Sequence, residues 1–177
     1  MKKSGIGGAN TKTGLYFEGK VDFLTFIKKQ KNYSVDENVI FYKKEKVGLT
    51  FKKYGLYKYL EENGVDYKKI LSRRLLPDDA IFVIANNTLF IIEIKFQSGS
   101  GSTDEKLQTC DFKIKQYRKL LSQLNVEVQY VYILNDWFKK PEYKDVLDYI
   151  ISINSCSYYF NYLPLQKIGL PVPQGNK

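Results

Sequence analysis

The sequence contains no histidine. That absence excludes Ser-His-Asp and Cys-His nucleophile systems and any zinc site built on imidazole. Acid–base or metal chemistry in this chain must fall to carboxylates, lysines and water. Cysteine is nearly absent as well. Cys110 and Cys156 are too few for a disulfide framework or a four-thiolate metal site, and both are expected to be buried, reduced thiols. Arginine is scarce: three residues, Arg73, Arg74 and Arg118, among 28 basic ones. No apolar run approaches the ~18 residues of a membrane span, and Met1-Lys2-Lys3-Ser4-Gly5 has no apolar core of a signal peptide. A cytoplasmic protein without membrane contact is expected.

What is present is a basic, aromatic chain of 177 residues with formal net charge +9, 44% hydrophobic and 15% aromatic. It is too apolar for disorder and of a length for one domain, 1–177, with a short flexible N-terminal arm of about residues 1–12. The charge favours a polyanionic partner, since each phosphate neutralised releases counterions. Lysines that merely keep a Tyr- and Phe-rich protein in solution would give the same total.

Periodicity predicts a first helix from Thr13 to Lys29, on the spacing of Phe17, Val21 and Leu24. Val39–Tyr42 and Val47–Phe51 read as strands joined by a charged tip. Short helices are expected over Gly55–Asn63 and Tyr67–Leu71. Asp79–Ile84 and Leu89–Phe96 are apolar β-rich runs separated by Asn86-Asn87, which suits a hairpin. Ser102-Thr-Asp-Glu105 has capping-box spacing and opens a long helix to about Leu124. Val126–Leu134 reads as a strand buried on both faces, Tyr143–Ile153 as a helix and Tyr158–Leu163 as an edge strand. The order predicts an α/β fold, a central mixed sheet flanked by helices.

Alternation along Leu89–Gln97 puts Glu93, Lys95 and Gln97 on one face of a strand whose other face is ordinary core. Opposite charges on an apolar central strand need partners, because burying a lone charge is costly. A rim ion pair is the simplest account of Glu-x-Lys alone. Leu75-Leu76-Pro77-Asp78-Asp79, however, precedes the neighbouring strand, and pairing around the Asn-Asn turn brings Asp78 or Asp79 across from Glu93 or Lys95. Two carboxylates and a lysine then converge, strained unless a cation sits between the acids. Oxygen ligands without His or Cys select Mg²⁺. Glu18, beside the apolar positions Phe17 and Val21, is a candidate third acid.

Pro77-Asp78 followed by Glu93-Ile94-Lys95 resembles the PD-(D/E)XK nuclease superfamily. Gly7–Glu18 looks like a first-helix motif ending in Glu, and Gln97 with Gly99–Lys106 looks like type II restriction endonucleases of that superfamily. The resemblance covers about residues 7–120. It implies a restriction-endonuclease-like core and Mg²⁺-dependent hydrolysis of double-stranded DNA at a specific site. It further implies Asp78, Glu93 and the Ile94 carbonyl as metal ligands, Lys95 as the water-orienting lysine and Glu18 as an auxiliary acid. A homodimer is expected on a symmetric site, and a cognate methyltransferase is a system partner without physical contact. Candidate DNA contacts are Gln97, Arg73, Arg74, Lys106, Lys113, Lys115 and Lys119. Two other readings stand beside this one. The first is a structure-specific nuclease, such as a Holliday-junction resolvase, a transposase-like enzyme or a subunit of a heteromeric nuclease. The second is a non-catalytic basic nucleic-acid-binding module.

Overall fold

The computed structural model describes residues 14–16, 23–98 and 103–173. Seven strands form one sheet: β2 (Tyr33–Asp36), β3 (Val39–Tyr42), β4 (Glu45–Phe51), β5 (Asp79–Val83), β6 (Thr88–Lys95), β7 (Glu127–Leu134) and β8 (Cys156–Phe160). Their spatial order equals their chain order. From β2 to β6 the strands run as an antiparallel meander, whereas β7 is parallel to β6 and β8 to β7. A parallel neighbour needs a crossover, and helices supply both crossovers. The fold is therefore α/β with a mixed central sheet flanked by helices, as expected.

The hairpins follow from local backbone chemistry. Tyr42 pairs with Glu45, so the charged tip is a two-residue turn at Lys43-Lys44. Both residues have positive φ, the geometry whose twist matches the flanking strands. Asn87, also at positive φ, ends the turn into β6. Gly48 sits in β4 opposite Val83, where a Cβ would lie 2.7 Å from the Phe82 carbonyl oxygen. A side chain there would push β4 off β5.

Two apolar layers cover the sheet. One face carries Leu49, Ala80, Leu89, Ile91, Val128, Tyr130, Tyr132 and Leu134. On it pack α2 (Gly55–Glu62), α3 (Tyr67–Ile70), α4 (Thr103–Leu107), α5 (Cys110–Leu121) and α6 (Lys144–Ser152), through Leu60, Tyr67, Leu107, Ile114, Tyr117 and Ile150 among others. The opposite face carries Ile81, Val83, Phe90, Ile92, Val131 and Ile133. It is covered by Phe23 and Ile27 of α1 (Phe23–Lys28) and by Leu163, Leu165, Ile168 and Leu170 near the C-terminus. From Tyr130 to Leu134 β7 is buried on both sides, which explains its apolar run there.

Three expectations need correction, and one strand was not predicted. The helix predicted over Thr13–Lys29 is described only at Phe23–Lys28. Gly14–Tyr16 is instead a strand, β1, paired antiparallel with β9 (Tyr162–Pro164). Pairing with a segment far along the chain sets the backbone of these three residues. The single long helix is two helices, broken at Gln108-Thr109. The Thr109 hydroxyl bonds back to the Lys106 carbonyl, and the Tyr132 hydroxyl donates to the carbonyls of Lys106 and Leu107, so these groups are satisfied outside a helical ladder. The predicted edge strand Tyr158–Leu163 is divided at Asn161, whose positive φ turns the chain from β8 on the large sheet to β9 on the small one. Strand β2 was not read from the sequence, because Tyr33-Ser34-Val35-Asp36 is too short and too polar to stand out. Ser102 of the capping box lies outside the described residues.

Candidate active site

The site forms where β5 begins and β6 ends. Asp79 pairs with Ile92, so Asp78 is the residue just ahead of the ladder, level with Glu93. Alternation then divides the acidic doublet between the two faces. Ala80 belongs to the helix-rich face and Ile81 to the opposite one, so Asp78 shares the face of Glu93 and Lys95. Asp79 points with Ile92 to the other face and is buried. The choice left open by the sequence is thus decided by register: Asp78 is the residue that meets Glu93.

The contacts bear this out. The Lys95 ammonium lies 3.0 Å from Glu93 Oε2 and 3.9 Å from Asp78 Oδ2, so both carboxylates share one cation. The Ile94 backbone N–H donates to Asp78 Oδ2 at 3.0 Å. In extended chain a residue's N–H and C=O face the same neighbouring strand, so the Ile94 carbonyl lies on the Asp78 side of β6. Asp78 is half exposed and Glu93 almost fully buried, their side chains being 49% and 8% accessible. The pair therefore spans from solvent to interior.

Glu93 has a second cationic neighbour. From α5, which packs against β7, the Lys113 ammonium donates to Glu93 Oε1 at 2.6 Å. The same ammonium stands 5.9 Å from the centre of the Tyr130 ring. Tyr130 is the floor of the site, fully buried and packed edge-on against Tyr132. Burial pushes the Glu93 carboxyl up. The hydrogen bond from Lys113, the charge of Lys95 and the Tyr130 hydroxyl outweigh it and hold the group below the ordinary carboxylate value. Burial first, then the Glu93 charge, push the Tyr130 phenol far above its usual range, so it stays protonated.

The remaining sequence candidates fall elsewhere. Glu18, with most of the Gly7–Glu18 motif, lies outside the described residues. Gln97 is buried just past the end of β6, and its backbone is paired with the Asn135 side chain in both directions. Asn135, unremarked in the sequence, thereby fixes the chain leaving the site. Arg73 is exposed. Arg74 stacks its guanidinium among the rings of Tyr54, Tyr57 and Tyr67, at 5.2 to 5.8 Å. The Tyr57 hydroxyl donates to the Leu75 carbonyl and accepts from the Leu75 N–H. Arg74 and Tyr57 together anchor the segment that delivers Asp78.

Lys106 is exposed. Lys115 pairs with Asp111 one turn away, at 2.7 Å. Lys115 and Lys119 line an open groove of about 650 Å³ with Phe112, Gln116, Arg118 and Ile70. Lys113, expected as a DNA contact, instead turns inward to the Glu93 carboxylate. Its role was hidden because nothing in helix periodicity ties it to a strand twenty residues earlier. Both cysteines are free and buried, and no disulfide joins them.

Among the described residues, no group of three or more acidic, cysteine or histidine side chains is placed to hold a metal ion. Among them too, no helix is long and apolar enough to cross a membrane. Compared with protein-family models, with curated proteins and with solved structures, the chain matches none.

Proposed function

We propose that the chain is a Mg²⁺-dependent endonuclease with a restriction-endonuclease-like core, hydrolysing phosphodiester bonds of double-stranded DNA at a specific site. One observation carries the reading. Asp78 and Glu93, on neighbouring strands and on the same sheet face, share the Lys95 ammonium between them. The donor set suits magnesium. Two carboxylates and the Ile94 carbonyl are hard oxygens, and the space between the acids already accepts positive charge.

Asp78, Glu93 and the Ile94 carbonyl would hold the cation, with Glu18 as an auxiliary acid. The chemistry such a cation supplies is charge neutralisation on the scissile phosphate and a more acidic bound water. Lys95, anchored on the rigid end of β6, orients the attacking water and offsets negative charge as it develops on the phosphate. Tyr130 and the core beneath it exclude solvent from the inner side of Glu93, which strengthens these electrostatic effects. The net charge of +9 draws the polyanionic substrate, and Lys119 with Arg73 supplies exposed positive charge for its backbone. A homodimer would present two such centres to the two strands of a symmetric site.

Incubation of long unmodified DNA with the protein and Mg²⁺ tests the proposal. Discrete, reproducible fragments that disappear with EDTA are expected. Cutting confined to branched DNA would favour a structure-specific nuclease. Retention of DNA with no strand scission at any divalent ion would favour a binding module and remove the catalytic reading.

A further inference from the structure

Both oxygens of Glu93 are engaged by cations, Oε1 by Lys113 at 2.6 Å and Oε2 by Lys95 at 3.0 Å. With Asp78, the two lysines make a quartet of two negative and two positive charges. A divalent cation on Glu93 would stand against two ammonium groups already at its oxygens, and that like-charge repulsion is relieved when one of them leaves. The two lysines are not equivalent. Lys95 sits on β6 beside Glu93 and touches both carboxylates, so moving it disturbs the whole pair. Lys113 reaches in from another element, α5, on a long flexible stem. Its side chain is 26% accessible against 8% for its partner, so a path to water is open without any backbone movement.

We infer that Lys113 is a resident counter-ion of Glu93, which a divalent cation displaces as it binds. The inference rests on the metal-dependent nuclease reading and adds a control on metal affinity to it. Physically, Lys113 does two things. Before metal arrives it keeps a carboxylate ionised in a buried place where charge is costly. When metal arrives it competes, and the displaced ammonium remains on the first turn of α5 at the mouth of the site. Lys113 is thus a positioning residue acting through Glu93, and its effect is on cation affinity.

Calorimetric titration of Mn²⁺ into the wild-type protein and into Lys113→Met, Lys113→Arg and Glu93→Gln variants tests this without reference to cleavage. Lys113→Met is expected to bind Mn²⁺ about tenfold or more tightly than wild type, the scale of one charged hydrogen bond no longer given up. Lys113→Arg, which keeps the charge, stays near wild type, and Glu93→Gln loses the site. If Lys113→Met is insoluble, Lys113→Gln supplies the same comparison with a neutral side chain of similar length. Equal or weaker Mn²⁺ binding by the neutral variants, in a protein whose binding depends on Glu93, overturns the inference and leaves the nuclease reading standing. No Mn²⁺ binding by either wild type or the neutral variants overturns both.

Discussion

Asp78→Asn and Glu93→Gln each lower Mg²⁺-dependent DNA cleavage by roughly three orders of magnitude, the scale of removing one group that stabilises charge in the transition state. Asp79→Asn, one residue away, leaves cleavage within the wild-type order. The contrast follows from register. Asp78 faces Glu93 and Lys95, and Asp79 faces Ile92 and the opposite core. Asp78→Asn is the cleaner variant, because a half-exposed carboxylate can become an amide at little cost to the fold. Glu93→Gln also leaves two partly buried ammonium groups without their shared anion, so its melting temperature falls as well. Rates from fixed-time digestion of plasmid DNA, with circular dichroism to verify folding, provide the check. Equal loss at Asp78 and Asp79, with both variants folded, would mean that the face assignment does not govern the chemistry.

Tyr130→Ala is expected to cost about 3–5 kcal/mol, the range for deleting a buried aromatic ring. This is a large part of the ~5–15 kcal/mol that holds a typical domain together. Tyr130 lies in the centre of the sheet on β7, in contact with the rings of Tyr117 and Tyr132. Its loss opens a cavity directly beneath Glu93 and Lys113. Tyr130→Phe keeps the ring and loses only a buried hydroxyl, and is expected to cost about 1 kcal/mol or less. Urea unfolding of the two variants measures both numbers. A Tyr130→Ala protein as stable as Tyr130→Phe would show that the floor of the site is not the packed core described.

Much of this arrangement is legible in the sequence, because local rules and tertiary structure agree there. The Asn86-Asn87 turn, the apolar runs on either side and the strongly apolar Val126–Leu134 segment predict β5, β6 and β7 nearly to the residue. Alternation alone puts Glu93 and Lys95 on one face. What the sequence withholds depends on contacts distant along the chain. Whether Asp78 or Asp79 meets Glu93 is a matter of a single residue of register, and a slip of one reverses every side chain. Lys113 carries no mark of its inward turn, since a lysine on an amphipathic helix is ordinarily a solvated one. Gly14–Tyr16 lies inside the stretch predicted as the first helix, and only β9, nearly 150 residues on, makes it a strand. Arg74 looks like a free basic group until Tyr54, Tyr57 and Tyr67 are assembled around it.

Hydrolysis at this site requires Asp78 and Glu93 to hold one divalent cation jointly. Anomalous diffraction from crystals grown with Mn²⁺ tests it most directly. A manganese peak in contact with a carboxylate oxygen of each residue, beside Lys95, is expected, and its loss in Asp78→Asn crystals. A well-ordered site with Lys95 and Lys113 still on Glu93 and no manganese between the two acids, at saturating Mn²⁺, would contradict it.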